Sequence, residues 1–404
     1  MGCALTNALA RRAGFVRRRG KSGLRSRDVY AALDLGTNNC RLLIARPAAS
    51  GFRVIDAFSR IVRLGEGLAQ TACLSEAAMS RAIDALRICA RKMERRRVTS
   101  GRAVATEACR RARNGDVFAE RVRRETGLEL EIISNSEEAT LGLYGCTPLL
   151  DPAVPNALIF DIGGGSTEVS WLAQDGPGPG QTAAPCAQAG PLPCAQAGPL
   201  PGARGAPALV DWCSLPLGVV TLAEHYGGLE VTRDTYAAMV AEVAAALRPF
   251  DEQHALVALV RQGSVQMLGT SGTVTTLSGI GMKLAHYDRT RVDGSYLDFA
   301  SVTGLSRQIA AMSYDERVAH PCIGRQRADL VVAGCAILEA ICRTWPVGRL
   351  RVADRGLREG ILCTLMQRAG PMPGPCALER GALEDDPPGH AMPGHDGMEP
   401  GEGA

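Results

Sequence analysis

The strongest constraint on how this chain folds is a stretch that occurs twice. The apolar run Ala157-Leu158-Ile159-Phe160 enters Asp161-Ile162-Gly163-Gly164-Gly165-Ser166-Thr167-Glu168 and leaves through the alternating Val169-Ser170-Trp171-Leu172. This reads as a buried strand, a carboxylate, a turn of glycines and hydroxyls, and a returning strand. Residues 30–45 repeat the layout, with Asp34 and Gly36 aligned on Asp161 and Gly163. Two such units in the two halves of one chain imply a duplicated domain whose hairpin tips face each other across a cleft.

The tips carry anion chemistry. Gly163, Gly164 and Gly165 let successive N–H groups turn toward one point, and Ser166 and Thr167 add hydroxyl donors. Gly36, Thr37 and Asn38, with Arg41 on the returning strand, supply the same features in the first copy. A glycine run alone is equally a flexible turn; its duplication favours a phosphate pinched between two tips. Asp161 repels a phosphate unless a cation or an in-line water stands between them.

Composition adds bounds. A chain of 404 residues with 46% hydrophobic and 22% charged residues has room for two globular domains. The net charge of +3 hides opposed ends: residues 1–28 hold eight Lys or Arg against one Asp, and residues 369–404 hold seven Asp or Glu against one Arg. Both ends are expected to be disordered, the basic arm without specific nucleic-acid recognition. Three of the 45 cationic residues are Lys, so a phosphate clamp here is built from Arg. The 14 cysteines lie scattered in apolar patterns and read as reduced. No apolar run is long enough to span a membrane and the N-terminus has no signal-peptide core, which places the protein in the cytoplasm.

Along the chain, Ser75 caps a helix with Met79, Ile83, Leu86, Ala90 and Met93 on one face. Arg110 follows the strand 102–106, where it is either a ligand at a strand's C-terminal end or one more exposed helix arginine. Ser134 and Glu137 form a capping box, leaving Glu138 either as a general base or as a carboxylate favoured by the helix dipole. Residues 173–208 are rich in Gly, Pro and Ala and contain a direct eight-residue repeat, so they read as a disordered insertion. Ser214–Val220 is expected to resume the sheet, and Gly269-Thr270-Ser271-Gly272-Thr273 ends a further strand in another glycine and hydroxyl tip. Gly269 and Ser271 are its candidate phosphate ligands.

Taken together, Asp34-x-Gly-Thr-Asn with Arg41, Ala105-Thr106 with Arg110, Ser134 with Glu138, Asp161 to Glu168, Leu268 to Thr273 and Asp354 to Gly360 resemble the exopolyphosphatase/guanosine pentaphosphate phosphohydrolase (Ppx/GppA) family over residues 29–368. The resemblance implies an α/β, actin-like, ribonuclease-H-type pair of domains with the active site in the interdomain cleft. Residues 29–138 form the first domain, with the helix 356–368 packing back on it, and residues 139–355 the second. It implies Mg²⁺-dependent release of a terminal phosphate from polyphosphate or guanosine pentaphosphate, with Mn²⁺ as a substitute. Glu138 corresponds to the base, Asp161 to a residue assisting the water or metal, and Glu168 to a metal-binding carboxylate. Asp34 completes a three-carboxylate metal set with Asp161 and Glu168. Arg110 and both tips bind phosphate. Thr140 departs from the Arg that many members carry, and the C-terminal domains of longer members have no counterpart, which leaves processivity open, as is a homodimer. A sugar-, acetate- or polyphosphate-type kinase and a nucleotide-gated regulator are the rival readings of the same fold.

Overall fold

The computed structural model describes residues 28–49, 51–173, 208–370 and the backbone of 377–378. Most of the arm, insertion and tail expected from the sequence therefore lies outside the described residues. Two six-stranded sheets form the frame. The first runs in the order β12-β3-β2-β1-β4-β5 and the second β10-β11-β9-β6-β7-β8. In the first, β1 (Tyr30–Leu35), β2 (Asn39–Ala48) and β3 (Gly51–Ile61) make an antiparallel meander, and β4 (Ser100–Ala105) and β5 (Leu130–Ile132) add in parallel. The second repeats this plan with the meander β6 (Asn156–Ile162), β7 (Thr167–Ala173) and β8 (Ala208–Leu215), then parallel β9 (Val265–Thr270) and β11 (Arg349–Ala353). Each sheet also gains a short edge strand, β12 (Ala377–Leu378) or β10 (Tyr296–Asp298). This is the duplicated ribonuclease-H-like arrangement of the actin-like fold.

Local chemistry explains the elements. In β1, Tyr30 to Leu33 are buried on both faces because helices cover both sides of the sheet. The helix Glu76–Arg95 starts at Ser75, whose side chain accepts from the Ala78 N–H, and it buries Met79, Ile83, Leu86 and Met93 against one face. The helix Asn135–Cys146 is capped by Ser134, which accepts from the Glu137 N–H at 3.2 Å. The Glu137 carboxylate does not complete the expected capping box, because it pairs with Arg102 at 2.7 Å. Residues 214–220 divide: β8 ends at Leu215 and Val219 opens the helix Val219–Tyr226.

The other face of the first sheet is covered by the helix Leu357–Ala369, with Ile361, Leu362 and Met366 packed on Tyr30, Ala32 and Leu43. That helix crosses Asn135–Cys146 so closely that a Cβ on Gly360 would lie 1.8 Å from the Leu141 carbonyl oxygen. Nine described cysteines form no disulfide, as expected, but Cys363 is disulfide-bonded, which corrects the reading of all of them as reduced. No helix among the described residues is long and apolar enough to cross a membrane.

The crossing makes a direct test. Gly360→Ala should destabilise the fold by about 1–3 kcal/mol or more in urea titration, because backbone faces backbone and neither side can yield by a rotamer change. Gly142→Ala, where an added Cβ meets nothing within 4 Å, should be neutral or stabilise by up to ~1 kcal/mol.

Candidate active site

The two hairpin tips meet in one cavity between the sheets. Both are closed by the same turn bond: the Gly36 N–H donates to the Asn39 carbonyl and the Gly163 N–H to the Ser166 carbonyl, each at 2.9 Å. Those two N–H groups are thus spent on the turns. The N–H groups of Thr37, Asn38, Gly164 and Gly165 have no backbone acceptor among the described residues and remain for a ligand. The tips approach so closely that a Cβ on Gly165 would lie 2.9 Å from Thr37 Oγ1, and one on Gly164 3.0 Å from Thr37 Cβ. A side chain at either position would force Thr37 to shift.

The cavity wall holds Asp34, Gly36, Thr37, Asn38, Arg41, Glu138, Asp161, Gly163, Gly164, Gly165, Ser166 and Ser271 from the expected set. Strand register places them. Asp34 stands opposite Arg41 across β1 and β2, and Asp161 opposite Glu168 across β6 and β7. Ser271 caps the helix Gly272–Gly281, its hydroxyl accepting from the Val274 N–H at 3.1 Å, so the positive end of that helix faces the cavity.

Four expected ligands lie off the wall, each for a visible reason. Gly269 sits under the Phe160 ring, where a Cβ would be 2.4 Å from the ring, and it serves packing. Thr167 is fully buried and its hydroxyl donates to the Leu217 carbonyl at 2.6 Å. Arg110 is spent on protein groups: it donates to the Ile133 carbonyl at 2.7 Å, to Glu107 at 2.7 Å and, through both terminal nitrogens, to Glu138 Oε2 at 3.1 Å. Glu168 Oε1 accepts from Ser166 at 2.6 Å and Ser214 at 2.9 Å. Thr140, the departure from the family pattern, turns its hydroxyl onto the Ser136 carbonyl of its own helix.

Sequence reasoning missed Arg327, Glu107, Thr106 and Thr276, all on the wall. Arg327 donates to Thr276 Oγ1 at 2.9 Å. A signal existed for Thr106, since β4 and β9 are equivalent strands, so that Thr106 matches Ser271 by topology. Arg327 arrives from a loop with no such marker.

Crowding of carboxylates sets the electrostatics. Burial, with Glu168 and Asp34 nearby, pushes Asp161 up to about 7, against the pull of Arg41. Burial and Glu168 raise Glu138 well above the usual range, although Arg110 opposes them. Glu168 is raised by burial and held back by its two serine donors. Asp34 is raised by burial, with Arg41 and Arg358 lowering it. Among the described residues no three His, Cys, Asp or Glu side chains are arranged to hold a metal ion by themselves. Of the expected set of Asp34, Asp161 and Glu168, the first two line the cavity, and Glu168 Oε1 is engaged by two serines. Asp34 and Asp161 do share the wall with Asn38, whose buried Oδ1 has no hydrogen-bond partner. Two carboxylates and an orphaned amide oxygen suit a hard cation that draws its remaining ligands from water and phosphate.

A carboxyl raised from 3.8 to about 7 binds a proton more tightly in the folded state, so its stabilisation is present below about pH 4 and is lost as pH rises through about 7. In chelator, Asp161→Asn should gain melting temperature over the parent as pH rises from about 4 to about 7, with the gain levelling off above that. An equal difference at every pH would show that Asp161 titrates normally.

Comparison with known proteins agrees with this geometry. The chain is 28% identical over 339 residues to a guanosine-5'-triphosphate,3'-diphosphate pyrophosphatase of Aeromonas salmonicida, covering 84% of this chain and 59% of that protein. A protein of the same name from Photobacterium profundum is 27% identical over 343 residues, 84% of this chain and 60% of its own length. The chain thus spans about three-fifths of these curated relatives. Among solved structures, the Aquifex aeolicus Ppx/GppA family member superposes with a TM-score of 0.63 at 25% identity, over 84% of this chain and 98% of its own. An exopolyphosphatase-like protein superposes at 0.70 with 26% identity, over 86% and 99%. The Ppx/GppA phosphatase family model matches residues 43–369, which with the duplicated sheets and paired tips makes this chain a member of the Ppx/GppA phosphatase family.

Proposed function

We propose that this chain is a phosphohydrolase that releases the terminal phosphate of a phosphoanhydride by attack of water. The substrates proposed are inorganic polyphosphate and the 5′-triphosphate end of guanosine pentaphosphate, the two activities named among the relatives. One observation carries the reading: Glu138 shares a cavity with the free N–H groups of both hairpin tips. The N–H groups of Thr37, Asn38, Gly164 and Gly165 hold the terminal phosphate, while the Ser166 hydroxyl is engaged by Glu168. Arg41 and Arg327, on the same wall, take the charge of the next phosphates along the chain.

Glu138 is the proton acceptor for the attacking water. Its raised affinity for a proton makes it a better base than a solvated carboxylate, and Arg110 keeps its oxygen in place. Asp161, opposite Glu138's neighbour Glu168, orients the water or the cation. Mg²⁺ is the cofactor proposed, with Mn²⁺ as a substitute, held by Asp34 and Asp161; when bound it neutralises charge on the phosphoryl oxygens. Glu168 then acts behind Asp161 and not as a ligand.

The test is phosphate release from polyphosphate and guanosine pentaphosphate in parallel, with Mg²⁺ and no acceptor nucleotide. Glu138→Gln should lower kcat by about 10²–10⁴ with little change in KM, since it removes the proton acceptor at constant size. The acid limb of kcat against pH should lie well above pH 4.5, because the base must be ionised to accept a proton. Chelation should abolish turnover and Mg²⁺ restore it. Near-parental kcat in Glu138→Gln would move the base to Asp161, and a requirement for an acceptor nucleotide would make the chain a kinase.

A further inference from the structure

The two halves touch at a second place, outside the cavity. The N–H groups of Val62 and Arg63, in the loop after β3, both donate to the Asn38 carbonyl at 2.8 and 3.0 Å, and the Gly65 N–H donates to the Thr37 carbonyl at 2.9 Å. This loop is thereby bonded to the first hairpin tip. Arg63 has φ 49°, a left-handed conformation that a long side chain adopts only where its surroundings hold it. Arg81 holds it from behind, donating to the Val62 and Arg63 carbonyls at 3.0 and 3.2 Å.

The result is that the Arg63 guanidinium crosses to the second half and meets Asp329 in a bidentate pair, Nη1 to Oδ2 at 2.7 Å and Nη2 to Oδ1 at 3.0 Å. Asp329 lies two residues beyond Arg327 on the cavity wall. Ala328, between them, is fully buried, and its carbonyl accepts from the buried Arg317 at 2.8 Å. A second bond runs alongside, from the Gly67 N–H to Glu224 Oε1 at 3.0 Å. An exposed, mobile ion pair contributes little. This one is bidentate, its side chains are 35% and 19% exposed, and both partners stand on backbone already fixed from behind.

We propose that Arg63 and Asp329 are positioning residues: their ion pair locks the first hairpin tip to the segment carrying Arg327, so that both walls of the cleft are in register before substrate arrives. The proposal rests on the phosphohydrolase reading for its kinetic consequence only. Without the pair, binding must first bring the walls together, which costs affinity and leaves the reacting groups unchanged once they are in place.

The experiment combines kinetics with a distance. Fluorophores introduced as non-canonical amino acids at Val117 and Tyr296, 69% and 48% exposed on the two halves, report their separation in the full chain without substrate. Asp329→Asn, which keeps size, should widen that separation and raise KM for polyphosphate about tenfold, with kcat within about twofold. Arg63→Asp, which tolerates the left-handed backbone, and Asp329→Arg should each cost more, and the two combined should recover most of both readouts. An unchanged separation in Asp329→Asn overturns the proposal, as does a combined variant in which the two losses add. If the parent releases no phosphate from any substrate, the hydrolase reading falls while the label separation still decides the role of the pair.

Discussion

The structure depends on keeping four buried carboxylates together, three lining one cleft and the fourth, Glu168, off its wall. Asp34, Asp161, Glu138 and Glu168 come from three different strands and a helix, and all four are raised by burial. Three of them have their own compensation. Arg41 on β2 stands opposite Asp34 on β1, two serine hydroxyls hold Glu168, and Arg110 grips Glu138. No single continuous segment could bring four like charges this close and compensate three of them from different directions. A two-sheet frame can.

Duplication supplies the frame, and divergence supplies the chemistry. Both sheets have the same meander and the same turn bond at the tip. At the equivalent cross-strand position, however, the first copy places Arg41 opposite its aspartate and the second places Glu168. One tip is therefore charge-compensated from within and the other is not. The imbalance concentrates at Asp161, where opposed like charges in a non-polar setting favour the protonated form.

How much of this was legible in the sequence follows from the range of the forces involved. The two hairpins were readable because strand period, aspartate and glycine turn are local, and they survive in β1–β2 and β6–β7. Glu138 stood out because Ser134 already accounted for the helix start. What was not readable came through tertiary packing. Gly269 looks like a loop glycine until the Phe160 ring is placed above it, and Thr167 looks like a ligand until the Leu217 carbonyl arrives from beyond β8. Glu137 chose Arg102 over its own helix terminus. Arg327 belongs to the cavity only because the helix Val331–Thr344 and the buried Arg317 set its loop, and neither relation is visible at short sequence distance.

The crossing of the helices Asn135–Cys146 and Leu357–Ala369 also bears on how the chain reaches this state. The inner face of the first sheet, formed by residues early in the chain, is closed by a helix that follows the whole second sheet. During synthesis the first half must therefore wait with Tyr30, Ala32 and Leu43 uncovered until the second half has emerged. The second sheet carries no such debt to distant segments, since its core cluster draws on residues 158–352 alone. The first half can assemble its other core, which draws on residues 29–128 alone, but it cannot close this face until the later half has followed.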